Sequence, residues 1–166
     1  MPTTYTSDAG EITAYVQHVL DHNLIELKTA GVTVEVLLAA SDDDDTPPVK
    51  TFGVRAYADI KINDLKNRVA GCRDVRLVID ASRFENSSDA RKRGIIHGQL
   101  CRVEVKRDKD GVIVTDDAAR PKLKLKPLDF GGGGMFDTVD RFGADAVEYK
   151  VFQALGLELR NEAEAA

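Results

Sequence analysis

Several side chains in this 166-residue chain have types and spacings that suit chemistry. His97 and Cys101 stand four residues apart, one helical turn, the spacing of a metal-ligand pair or of a Cys-His nucleophile and its base. The plainer reading is a packed thiol beside a polar-edge imidazole. His18 and His22 flank Asp21 at the same spacing, but they fall on the flank and back of an apolar stripe, which predicts a solvated face. Gly131 to Gly134 precede a helical pattern and offer backbone N–H groups to a phosphate, without the Gly-Lys-Ser/Thr ending that completes such a loop. Asp42 to Asp45 lack the alternating spacing and the glycine of a calcium loop, and read as a solvated acidic turn. Lys122, Lys124 and Lys126 alternate with Pro121, Leu123 and Leu125, so a strand would present them on one face. With Arg120 they are the best candidates for contact with a phosphate or an acidic partner, against the ordinary reading of a wet sheet face. No G-x-S-x-G setting for a nucleophile occurs. No intact catalytic constellation is legible.

The elements that must position these residues follow from periodicity. Asp8 and Glu11 make a capping pair for a helix whose stripe is Ile12, Tyr15, Val16, Val19 and Leu20. Val32 to Leu38 predicts a strand ending in the loop Ser41 to Pro48, and Phe52 to Ile62 a second extended stretch. Leu65 to Ala70 reads as a short helix and Val75 to Ile79 as a core strand. A long helix starts near Ser88, carries Ile95, Ile96, Leu100 and Val103, and yields to a strand near Arg102 or Glu104. Asp108-Lys109-Asp110-Gly111 is a hairpin signature; Pro121 to Pro127 predicts a strand, and two helical patterns cover Met135 to Phe142 and Ala146 to Leu155. These elements predict one α+β domain over residues 1–160, a mixed or antiparallel sheet packed against helices, with a frayed, disordered tail over 161–166.

Composition bounds the rest. Hydrophobic residues make up 43% and aromatics 6% with no Trp, so the core must be built from Val, Leu and Ile. No apolar run approaches a membrane span and the N-terminus has no apolar leader, from which a cytoplasmic location is expected. A net charge of −5 argues against a general electrostatic grip on nucleic acid. Cys72 and Cys101 have no metal-knuckle spacing and read as reduced thiols.

One segment is recognisable. Ile95-Ile96-His97-Gly98-Gln99-Leu100-Cys101-Arg102-Val103-Glu104-Val105, with Lys106 to Gly111, Asp116 to Leu125 and Asp137 to Gly143 behind it, resembles the zinc metallopeptidases encoded by phages and prophages. The similarity is weak before Asp59 and best from Leu77 to Glu148. That resemblance implies a zincin-like frame whose helix carries H-E-L-x-H, two His one turn apart chelating zinc and a Glu activating the bound water, with a further His shortly before the last helices. Leu100 and Val103-Glu104-Val105 set the register. It places the first His at Gly98, the Glu at Gln99, the second His at Arg102 and the third ligand at or near Leu128, just before Asp129. All are absent: Gly and Leu offer no ligand, Gln takes no proton, and Arg is not deprotonated.

The resemblance therefore implies a pseudoenzyme with no cofactor and no bound metal, whose vestigial cleft holds Gly98, Gln99, Arg102, Leu128 and Asp129. In such a cleft a guanidinium at Arg102 would supply charge where zinc is missing, facing Asp129 or Glu104; otherwise it snorkels to solvent at the helix end. Gly94 and Gly98 cost the helix about 1 kcal/mol each relative to Ala, so either something packs closely there or the positions have drifted. The expected role is binding, of a protein from the host or the phage, with nucleic acid not favoured and no membrane. Two alternatives stand beside it: an active metal-dependent hydrolase with displaced ligands, using His97 with acids such as Asp129, and an acidic decoy of a nucleic-acid-binding host protein.

Overall fold

The computed structural model describes residues 2–43, 45–129 and 133–159, and within them the chain folds as a single α+β domain. Its order is β1 (Thr4–Ser7), α1 (Glu11–His22), α2 (Ile25–Thr29), β2 (Val34–Ala40), β3 (Lys50–Thr51), β4 (Val54–Arg55), β5 (Ala58–Ile62), α3 (Leu65–Val69), β6 (Val75–Asp80), α4 (Ala81–Glu85), α5 (Asp89–Leu100), β7 (Val103–Val105), β8 (Leu123–Leu125), α6 (Phe136–Phe142) and α7 (Tyr149–Ala154). The predicted tail over 161–166 lies outside the described residues.

The main sheet is mixed, in the order β1-β2-β6-β5. Strand β2 runs parallel to β6, from Val34 opposite Val75 to Ala39 opposite Asp80, while β1 and β5 are antiparallel to their neighbours. The parallel pair requires a crossover, and the chain from β2 to β6 supplies it through β5 and α3. One sheet face buries Val36, Ile60, Val75, Leu77 and Ile79 against Ile12, Val16 and Val19 of α1 and Ile95, Ile96 and Leu100 of α5. Each such fully buried aliphatic contributes about 1.5–3 kcal/mol by leaving water.

Local chemistry sets the element ends. Asp8 accepts N–H bonds from Ile12 and Thr13 at 3.2 and 2.7 Å, so it caps α1 as expected, but Gly10 occupies the cap position at φ 116° and Glu11 does not close the reciprocal bond. Ser88 accepts from Arg91 N–H at 3.3 Å and starts α5 where the sequence predicts. The predicted second extended stretch, Phe52 to Ile62, instead opens on a turn at Phe52-Gly53 and divides into β4 and β5 at Ala56-Tyr57. Phe52 and Gly53 have positive φ, 52° and 79°, with Thr51 paired to Val54 across them, which is a tight two-residue hairpin turn. Three short elements, β1, α2 and α4, were not expected; they are too short to show periodicity.

Below the main sheet the β7-β8 hairpin carries a long excursion from Lys106 to Lys122, stitched by Arg107 opposite Ile113 and Thr115 opposite Pro121. Arg68, only 5% exposed, pins it. Its guanidinium donates to Asp116 Oδ2 and to the carbonyls of Pro121 and Asn63, all at 3.0 Å, and lies 3.8 Å from Asp74.

Candidate functional site

Helix α5 presents two glycines, four residues apart, to the C-terminal elements. A Cβ at Gly94 would stand 3.3 Å from the backbone oxygen of Asp145, in the 3-10 turn Gly143–Asp145 that follows α6. One at Gly98 would stand 3.1 Å from Oε1 of Glu148. Both positions are therefore filled from outside: Gly94 lets a backbone approach, and Gly98 makes room for a carboxyl group. Glu148 is largely buried, and its burial pushes its pKa upward against the opposing pull of backbone N–H groups, Met135 among them at 3.5 Å.

Glu148 forms one wall of an apolar cleft of about 580 Å³. Ala58, Ile95, Val147 and Val151 line it, together with Phe52 and Val54 of the β3-β4 hairpin. Gly98, Gln99 and Leu128 also line it, with Arg55, Tyr57 and Arg83 at the end nearest α4. Gln99 Oε1 is buried there with no hydrogen-bond donor among the described residues, as is Thr51 Oγ1.

The remaining residues singled out in the sequence fall elsewhere. Helix α5 ends at Leu100 with Cys101 as its cap, and Arg102 N–H bonds to Gln99 three residues back at 3.2 Å, so Gly98 and Arg102 do not share one regular helix face. Arg102 lines neither this cleft nor the next; its Nε is buried with no hydrogen-bond partner among the described residues, Glu104 pairs instead with Lys124 at 3.3 Å, and Asp129 accepts from Phe136 N–H at 3.1 Å. The Arg102 backbone carbonyl accepts from Lys126 N–H at 2.7 Å. Two residues on, the Leu128 Cα is held within about 8 Å of that of Lys126 by chain length alone.

Asp129 lines a second cleft, of about 500 Å³, with Cys101, Lys126, Glu26 and Asp137. Behind it His97 is fully buried. Its Nδ1 lies 2.9 Å from Thr138 Oγ1, the same hydroxyl that stands 3.5 Å from Cys101 Sγ, and its Nε2 is 3.4 Å from Asp137 Oδ2 without hydrogen-bond alignment. Burial pulls the imidazole pKa down to about 4 despite the Asp137 charge, and pushes the Cys101 thiol up to about 11. A neutral thiol whose hydroxyl bridge separates it from a neutral imidazole is not an activated nucleophile. No ion pair joins His97 to Asp129 among the described residues.

His18 and His22 stack on the exposed side of α1 at 4.2 Å. Lys122, Lys124 and Lys126 are exposed on one side of β8 as alternation requires, whereas Arg120 turns inward to the Cys72 carbonyl at 2.6 Å and to Asp74 at 3.6 Å. Gly131 and Gly132 lie outside the described residues. Among the described residues no group of three or more His, Cys, Asp and Glu side chains is arranged to hold a metal ion, and no helix is long and apolar enough to cross a membrane.

Glu148 is the residue that sequence reasoning missed. A lone Glu at the start of a short helix carries no motif, and only the absence of a side chain at Gly98 hinted that something must fill the space.

Fold and site together define a single-domain α+β protein with an apolar, partly cationic cleft beside its central helix. No family model, no curated protein and no solved structure matches the chain.

Proposed function

We propose that this chain is a catalytically inactive, metallopeptidase-like protein of phage or prophage origin that acts by binding a protein in the cleft beside α5. The family assignment is supported by the resemblance of residues 95–143. The binding role is carried by the cleft, where Gly98, Gln99 and Leu128, three positions at which the resemblance expects ligands and base, line an apolar hollow. The β3-β4 hairpin supports the same reading. Phe52 is 81% and Val54 68% exposed, and Phe52 holds a left-handed backbone conformation that costs a bulky residue about 1–2 kcal/mol. An exposed aromatic kept in such a position is better explained by contact with a partner than by folding.

Affinity capture from bacterial lysate with the parent chain and with Phe52→Asn tests the role. Asn tolerates the turn conformation, so the variant stays folded; it is expected to lose a partner that the parent retains. A fluorogenic peptide screen with added zinc should match buffer. Zinc-dependent cleavage by the parent chain overturns the reading.

A further inference from the structure

Arg83 and Tyr57 line one end of the cleft, and Arg91, which does not line it, reaches the same ring. Arg55, Arg68, Arg76, Arg107, Arg120 and Arg141 each pair with a carboxylate of the chain. Among the described residues Arg73, Arg83, Arg91, Arg93 and Arg102 have no carboxylate within ion-pair distance, and Arg83 and Arg91 are the two of these that share a neighbour. Both gather on Tyr57. The Arg83 guanidinium carbon sits 4.1 Å from the ring centroid and that of Arg91 5.3 Å, with Arg91 Nη2 3.4 Å from the phenolic oxygen. A guanidinium held over a ring loses little further freedom on taking up a carboxylate, and apart from the Arg91 Nη2 bond to the Tyr57 hydroxyl the donors of both side chains remain available for one. In an acidic chain of net charge −5, with abundant carboxylates to spare, two stacked guanidiniums without one form a site complementary to an anion.

Resting on the binding role proposed above, we infer that the cleft takes an extended peptide segment in which a bulky apolar side chain sits beside an acidic one. The apolar side chain enters between Ile95 and Val151, and its neighbouring carboxylate reaches Arg83 and Arg91 at the Tyr57 end.

Fluorescence anisotropy of the full chain tests this with labelled decapeptides in a Gly-Ser background carrying Leu-Glu, Leu-Gln or Gly-Glu at the centre, and with a dT oligonucleotide of similar length. The Leu-Glu peptide is expected to bind at least about tenfold more tightly than either of the other two. Arg83→Gln with Arg91→Gln removes that preference, and Arg83→Lys, which keeps the charge without the planar fork, retains part of it; circular dichroism checks that each variant is folded. Equal binding of Leu-Glu and Leu-Gln, preference unchanged in the double variant, no binding of any peptide, or tighter binding of dT overturns the inference. Mass spectrometry of the recovered peptide separates it from the proposed function: intact peptide bound without charge preference sinks only the inference, whereas zinc-dependent cleavage sinks the inactive reading and leaves the charge preference to be read.

Discussion

At the scale of single residues, the two glycines of α5 make different demands. The atom facing Gly94 is a backbone oxygen that cannot step aside, while the one facing Gly98 is the end of a Glu side chain that can. Ala restores about 1 kcal/mol of helix propensity at either position, against an overpacking cost of about 1–3 kcal/mol where the neighbour is fixed. Chemical denaturation should therefore find Gly94→Ala destabilised by up to about 2 kcal/mol and Gly98→Ala within about 1 kcal/mol of the parent; the reverse order would contradict the packing. His97 makes a second prediction. Its folded pKa of about 4 lies below its ordinary 6.5, so between those values the unfolded chain holds more protons. Its contribution is fully present above pH 6.5 and is lost as pH falls toward 4, on the order of 3 kcal/mol in all. Glu148 has the opposite sign: its raised pKa favours folding at low pH and costs stability as pH rises through the folded value. Denaturation midpoints measured across pH should show that His97→Gln flattens the acid-side loss, and that Glu148→Gln removes the opposing neutral-side cost.

At the scale of elements, α5 was legible because Ser88 supplies a cap and Ile95, Ile96 and Leu100 supply a stripe. Its end was legible only to within a turn, because residues 101–105 suit either state until β8 pairs with them. The attachment of the β7-β8 excursion was not legible at all. It depends on Arg68, a charged residue on a short helix that ordinary patterning assigns to solvent, yet which is buried among Asp116, Asp74 and two carbonyls. Breaking a buried ion pair by removing one partner costs about 3–5 kcal/mol because the other charge is stranded. Arg68→Ala should lower stability by that amount, and hydrogen exchange should show residues 106–122 losing protection first; protection lost uniformly would mean that the excursion is held by other contacts.

At the scale of the whole molecule, the inactive reading makes a prediction about metal. Zinc hydrolysis needs about three protein ligands and an open water position, and the register drawn from the resemblance supplies none of the three. Elemental analysis after dialysis should give well under one zinc per chain. One zinc held tightly and lost on mutating His97 would restore the displaced-ligand alternative. A variant carrying Gly98→His, Gln99→Glu, Arg102→His and Leu128→His tests the frame itself. Because a side chain at position 98 meets the Glu148 carboxyl, the substitutions should be made with and without Glu148→Ala. Zinc affinity gained by the folded variant is expected if the frame is ancestral; its absence in both backgrounds counts against the register.

The sequence by itself determined the α+β class, the strand and helix cores and most of their order, because periodicity and capping act within a few residues and survive without tertiary context. It also led to the expectation of an inactive protein, which the zinc and peptidase measurements test. Tertiary structure alone decided which of the marked residues meet. Gly98, Gln99 and Leu128 share a cleft, while Arg102 leaves the helix face and Arg120 turns inward, since those outcomes depend on where α5 stops and on which distant carboxylate or carbonyl is within reach. It alone placed Glu148 against Gly98 and set Arg83 and Arg91 on Tyr57, contacts between segments far apart in the chain. Burial of a charge and the lack of a partner for one are properties of the packed molecule, and no local pattern of residues encodes them.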